Sequence, residues 1–220
     1  MLHSEFYLFE EEKPLRCTVR NYQENDFQEL IAIQSECFPP PFPDELWWNV
    51  EQLSSHLIHF PEGAICVEVN GELAGSLTCL RISYDPAHPH HTWEEITDNG
   101  YISTHDENGN ALYVVDISIR PKFRKLGLGK LLMQNAYYVV IELGLDRLLG
   151  GGRMPGYKKY AENLSPEEYL KHALSGKLKD PVITFLLRCA RTPVTILPHY
   201  LEDEESLNHA VLMEWKNPFK

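Results

Sequence analysis

The chain has 220 residues, 43% hydrophobic and 24% charged, with 20 Lys and Arg against 32 Asp and Glu, for a formal charge of −12. That composition excludes wholesale disorder, and the acid excess argues against nucleic acid as the main partner while suiting a cationic one. No apolar run approaches the roughly 20 residues of a membrane helix. Residues 1–16 carry Glu5 and three consecutive glutamates, Glu10, Glu11 and Glu12, with no apolar core, so they are not a signal peptide. Cys17, Cys37, Cys66, Cys79 and Cys189 are odd in number and lack a C-x-x-C pair. They read as reduced thiols of a cytoplasmic protein.

Residues 17–20 are short and β-prone, and Phe27, Leu30, Ile31, Gln34, Cys37 and Phe38 then fall at helical spacing. The prolines at 39, 40, 41 and 43 must end that helix. Asp44 is placed to cap a second helix, to about Phe60. Two strands, 64–69 and 72–84, flank Asn70-Gly71, a strong hairpin signal. Residues 85–110 read as a long loop, functional or mobile, with at most a helical turn near 92–96. A buried central strand is expected at 111–119, and a helix at 127–143 with Gly144 at its C-cap. Residues 147–149 form a short strand that runs into a flexible exit at Gly150-Gly151-Gly152. Further helices start at Ser165-Pro166 and Asp180-Pro181. Closing strands at 193–197 and 210–215 enclose the acidic stretch 202–205. No linker or repeat divides the chain, so residues 1–220 are one α/β (α+β) domain.

Between Ile117 and Ile141 there is no acidic residue, whereas Arg120, Lys122, Arg124, Lys125 and Lys130 place five of the 20 basic residues within 11 positions. They lie where a strand turns into a helix opened by Gly127 and Gly129. Bare amides, a positive dipole end and flanking cations make a phosphate site. A Walker loop would need Gly at Arg124 and Ser or Thr at Leu131, and a dinucleotide fingerprint would need Gly at Leu132. None is present.

Arg124-Lys125-Leu126-Gly127-Leu128-Gly129 resembles the R/Q-x-x-G-x-G/A signature of the GNAT superfamily of acyl-CoA N-acyltransferases. The order of elements over about 16–215 is also that family's. A narrower resemblance comes from residues 91–96, 104–106, 151–157, 180–182 and 214–218. It is to GNAT domains found fused to nitrilase-like amidohydrolases.

The resemblance implies a mixed, mostly antiparallel seven-stranded sheet with helices on both faces and its fourth and fifth strands splayed. Acetyl-CoA is the implied cosubstrate, its pyrophosphate lying on Lys125, Leu126, Gly127, Leu128, Gly129 and Lys130, beside Arg124. Its pantetheine arm would pair with Ile117 and Ile119, and an amide at Ile117 or Ser118 would polarise the thioester carbonyl. The reaction is direct attack by an amine, which needs a base. Asp116, an acid inside an apolar strand, is the first candidate; Glu94 and Glu95 are fallbacks. The family's tyrosine acid falls at Leu186 here, leaving Tyr157 and Tyr160 as substitutes.

The histidines at 56, 59, 88, 90 and 91 lack the Cys or carboxylates that would complete a metal set, so no metal is expected. The partners implied are acetyl-CoA and a small amine, with no nucleic acid or membrane, and a homodimer is allowed. The acceptor site is expected between 85–110 and 153–179, drawing on Trp93, Glu94, His105, Arg153, Tyr157 and Tyr160. Two other readings stand beside the small-molecule N-acetyltransferase. One is an acyl-CoA-binding or regulatory module that partners an amidohydrolase, and the other is a protein acetylase.

Overall fold

The computed structural model describes residues 2–220. Its elements, in order, are β1 (His3–Glu10), β2 (Lys13–Asn21), α1 (Phe27–Cys37), α2 (Val50–His59), β3 (Ala64–Val69), β4 (Glu72–Ile82), α3 (Trp93–Thr97), β5 (Ala111–Ile119), α4 (Leu128–Glu142), β6 (Arg147–Arg153), α5 (Pro166–Leu174), α6 (Pro181–Arg188), β7 (Thr192–Leu197) and β8 (Ala210–Lys216). They build one sheet in the order β1-β2-β3-β4-β5-β6-β8-β7. Every neighbouring pair is antiparallel except β5–β6.

The sheet has eight strands, one more than the seven expected. The addition is β1, which turns at Glu11, in left-handed backbone, and pairs with β2 along its whole length. Phe6 and Leu8 lean on the core while Tyr7 and Phe9 face solvent, and the surrounding glutamates mask that alternation in the sequence. The family's fourth and fifth strands are therefore β5 and β6. Their parallel pairing is confined to Ala111↔Arg147, Leu112↔Leu148 and Tyr113↔Leu149, beyond which they part. This is the splay.

Helix α2 starts later than expected. Asp44 opens only a 3-10 turn, Asp44–Leu46, and the cap is Asn49, whose side chain accepts from the Gln52 amide at 2.8 Å. Gln52 returns the bond to the Asn49 amide at 3.0 Å, an amide version of the capping box. The glycine run is not a flexible exit. It is the body of β6, pairing with β8 at Gly150↔Met213, Gly151↔Leu212 and Gly152↔Val211. Its glycines admit close neighbours: a Cβ on Gly151 would lie 2.6 Å from the Tyr200 hydroxyl oxygen, and one on Gly152 would strike Leu186.

Helices cover both faces. On one, Gln34 of α1 reaches Asp116 and Ser118 of β5. On the other, Gly129 of α4 sits by Ile119 and by Phe185 of α6. Between β4 and β5 the register shifts: Thr78 faces Asp116, but Cys79 faces Val114, so Val115 is bulged out.

The start of α6 carries a testable load. Asp180 is fully buried and its carboxylate accepts from the Val182 and Ile183 amides, each at 2.9 Å, from the Tyr169 hydroxyl at 2.8 Å and from the Gly156 amide at 3.2 Å. Asp180→Ala leaves four donors without their acceptor. Urea unfolding is expected to show a loss of about 3 kcal/mol.

Candidate active site

The signature loop is built to present amides. Lys125 and Gly127 both hold left-handed backbone, at φ 72° and 81°, and Gly127 is the N-cap of α4. The first bond into the helix runs from the Leu131 amide to the Gly127 carbonyl at 3.1 Å, so the amides of Leu128, Gly129 and Lys130 have no intrahelical acceptor. The two glycines serve different ends. Around a Cβ on Gly127 there is open space, so its requirement is the backbone angle. A Cβ on Gly129 would press on the Phe185 ring at 3.1 and 3.3 Å.

The basic cluster divides in two. Arg120 is buried and bound by Glu29 at 2.8 Å, Glu72 at 3.2 Å and Glu36 at 3.3 Å, and Lys122 pairs with Glu72. These two cations brace the sheet. Arg124, Lys125 and Lys130 are exposed and have no carboxylate partner among the described residues.

From the splay onward β5 has one free edge. The Arg120 amide bonds Ala74 of β4, so by the two-residue alternation Ser118 also turns its amide to β4, while Ile117 and Ile119 turn theirs away. Ile119's carbonyl accordingly accepts from the Cys37 thiol at 3.2 Å and from Arg124 Nε at 3.3 Å. This edge, the bare amides and the exposed cations together fit a cosubstrate with an amide-bearing arm and a pyrophosphate.

Asp116 stands at that edge. Its carboxylate accepts from Gln34 Nε2 at 2.9 Å and Ser118 Oγ at 2.8 Å, with the Ile117 amide also turned to it. Burial raises its pKa to about 6, against the pull of those hydrogen bonds and of the Arg153 charge. Arg153 ends β6, is clamped by Asp203 through two 2.7 Å bonds, and stacks over Phe42 and Phe38 at 4.8 and 5.8 Å.

The other candidates scatter. Glu94 is exposed in the first turn of α3, and Glu95 is spent on the Thr92 cap. Tyr157 is buried and donates to the Leu164 carbonyl at 3.2 Å, while Tyr160 packs on Tyr169 at the surface. His105 stacks on Phe60 and accepts from the Arg81 amide, so it holds a loop. Trp93 does reach the splayed strand, donating to the Val115 carbonyl at 3.3 Å. Gln34, Tyr113 and Tyr200 were not anticipated. Only Gln34, a polar residue on an apolar helical stripe, left a mark in the sequence.

A groove of about 480 Å³ between α5 and β7 shares no residue with the splay or the signature loop. Among the described residues no helix is long and apolar enough to cross a membrane, and no group of three or more His, Cys, Asp or Glu could hold a metal.

The splayed parallel pair, the bulged strand and the amide-presenting loop are those of a GNAT fold. The profile of the acetyltransferase (GNAT) family matches residues 27–151, and the chain belongs to that family. It is 51% identical over 215 residues to the uncharacterized N-acetyltransferase YkwB of Bacillus subtilis, covering 98% of this chain and 95% of that one. It is 38% identical over 203 residues to the probable hydrolase YhcX of the same organism; the match takes in 92% of this chain but 39% of YhcX. Among solved structures, the GphF GNAT-like decarboxylase in complex with isobutyryl-CoA superposes with a TM-score of 0.77 at 23% identity, over 90% of this chain and 98% of that one. That neighbour holds an acyl-CoA, and the edge, amides and cations described above fit a molecule of that class.

Proposed function

We propose that the protein transfers an acetyl group from acetyl-CoA to the nitrogen of a small amine by direct attack, with Asp116 as the base. The observation that carries this reading is the Asp116 carboxylate, set at the free edge of the splayed strand with a pKa of about 6. At pH 7 and above it is ionised and able to take a proton. Gln34 and Ser118 fix its orientation.

Bound acetyl-CoA supplies the activated acyl group. The chain's part is to hold the diphosphate on the amides of Lys125, Leu126, Gly127, Leu128, Gly129 and Lys130, with Arg124 beside them, and the arm on Ile117 and Ile119. The acceptor would be walled by Trp93, Arg153, Phe38 and Phe42. Three aromatic side chains and a clamped guanidinium suit a small ligand better than an open peptide groove. Glu94, Tyr157 and Tyr160 have no role in this arrangement.

The test is thiol release from acetyl-CoA over a panel of small amines and of peptides. Turnover confined to small amines is expected; turnover confined to peptides would favour a protein acetylase. One observation favours another reading, the coverage of only 39% of the probable hydrolase YhcX. A module acting beside a hydrolase would bind acetyl-CoA and release no thiol with any amine.

A further inference from the structure

Two protons must leave an ammonium acceptor before it becomes an amide. One frees the lone pair; the other is lost when the new N–C bond makes the nitrogen cationic. Asp116 can hold one. The departing sulfur needs a proton as well, and Leu186 stands where the family's tyrosine is expected.

A second set of proton-carrying groups lies on the same face of the sheet. Leu80 and Thr78 of β4 are two residues apart and so share a face; they stand opposite Tyr113 and Asp116. The bulge at Val115 therefore brings Tyr113 and Asp116, three residues apart, to one side. Tyr200 comes down on Gly151, the second residue past the last β5–β6 pair, where any side chain would collide with its hydroxyl. Its oxygen occupies the angle of the splay.

The hydrogen bonds run in one direction. His91 Nδ1 lies 2.9 Å from the Pro89 carbonyl, which can only accept, so Nδ1 carries a proton. Burial keeps the ring below its ordinary pKa and hence neutral at pH 7, leaving Nε2 as an acceptor. The Tyr113 hydroxyl, 2.8 Å from Nε2, must donate to it, and the Tyr200 hydroxyl, 2.9 Å away, must donate to Tyr113. Both phenols are buried, while His91 is half-buried. All three protons point away from the splay; the Gly151 amide is turned to the Tyr200 oxygen, which has a second lone pair for a new proton.

We propose that Tyr200, Tyr113 and His91 form a proton shuttle between the acceptor nitrogen and the departing sulfur. This rests on the N-acetyltransferase reading. As the N–C bond forms, the N–H bond breaks and its proton goes to the Tyr200 oxygen. Tyr200 passes its own proton to Tyr113, and Tyr113 passes its proton to His91 Nε2. When the C–S bond breaks, its electron pair leaves on sulfur. The imidazolium then returns the Nε2 proton through Tyr113 to Tyr200, and Tyr200 protonates the thiolate. Nitrogen and sulfur are bonded to the same carbon, so one hydroxyl serves both. The proton on Asp116 goes to water, and the shuttle ends as it began.

The test uses the intact protein, Tyr113→Phe, which cuts the wire but keeps both rings, and His91→Gln. Acetyl-CoA affinity is read by calorimetry, and turnover by thiol release in mixtures of light and heavy water. Turnover is expected to fall about a hundredfold in each variant with affinity unchanged. The dependence of rate on deuterium fraction should be curved in the wild type, as several protons move together, and straight in both variants. Variants with wild-type turnover, or with the curvature retained, would overturn the shuttle alone. A wild type that binds acetyl-CoA yet releases no thiol with any amine would overturn the N-acetyltransferase reading, and the shuttle with it.

Discussion

Asp116→Asn is expected to reduce turnover about a thousandfold at pH 7.5 while leaving acetyl-CoA affinity within a factor of two, because the amide keeps the shape but cannot take the proton. Wild-type turnover should fall as the pH drops through about 6, where the carboxylate is titrated. The variant's profile should be flat there. Stability moves the other way. The folded carboxyl holds its proton up to about 6 against an ordinary 3.8, so the folded state binds more protons between those values. Wild-type stability is therefore fully present below about 4 and declines as the pH rises towards 6. The variant escapes that decline. Thermal melts from pH 4 to pH 7 would show the wild type losing ground to Asp116→Asn as its activity rises. A variant that is slower and also less stable at pH 7 would mark the carboxylate as structural.

Gly127→Val is the second large effect. Its φ of 81° lies where a β-branched residue is strained, while the space around a Cβ is open. The loop is expected to swing to a negative φ, turning the amides of 128–130 away from a common point. Calorimetry with CoA should show affinity weakened about 30-fold, or about 2 kcal/mol. The melting temperature should fall only by what the backbone strain costs, since nothing packs on this residue. Gly129→Ala is the contrasting case: its Cβ pushes on Phe185, so stability should fall along with affinity. Unchanged CoA affinity in both variants would remove the pyrophosphate from this loop.

The signature loop and the central strand were legible in the sequence because local chemistry imposes them. Glycines open a helix, acids are missing over some two dozen residues, and apolar residues fill both faces of β5. The eighth strand was not legible, because Tyr7 and Phe9 face solvent among glutamates and blur the alternation of Phe6 and Leu8. Nor was the role of the glycine run. Three glycines in a row suggest mobility, but their reason is Tyr200 and Leu186, which arrive from far along the chain. The site divides the same way. Asp116 is conspicuous as an acid in an apolar strand, whereas Tyr113 and Tyr200 look like any core aromatics until the bulge and the fold bring their hydroxyls within 2.9 Å.

The narrow join between β5 and β6 has a mechanical consequence. Strands β1 to β5 form a meander in chain order, and β6, β8 and β7 form a separate antiparallel ribbon. Three residue pairs connect these two slabs within the sheet, in the only parallel pairing among the described residues. Every other ladder of the sheet runs for at least five pairs, so the seam is its shortest join. The seam is therefore the line of the sheet from which local opening is expected to start. A molecule lying along the free edge of β5 would act as a key between the slabs. Occupancy would stiffen the whole sheet along that line.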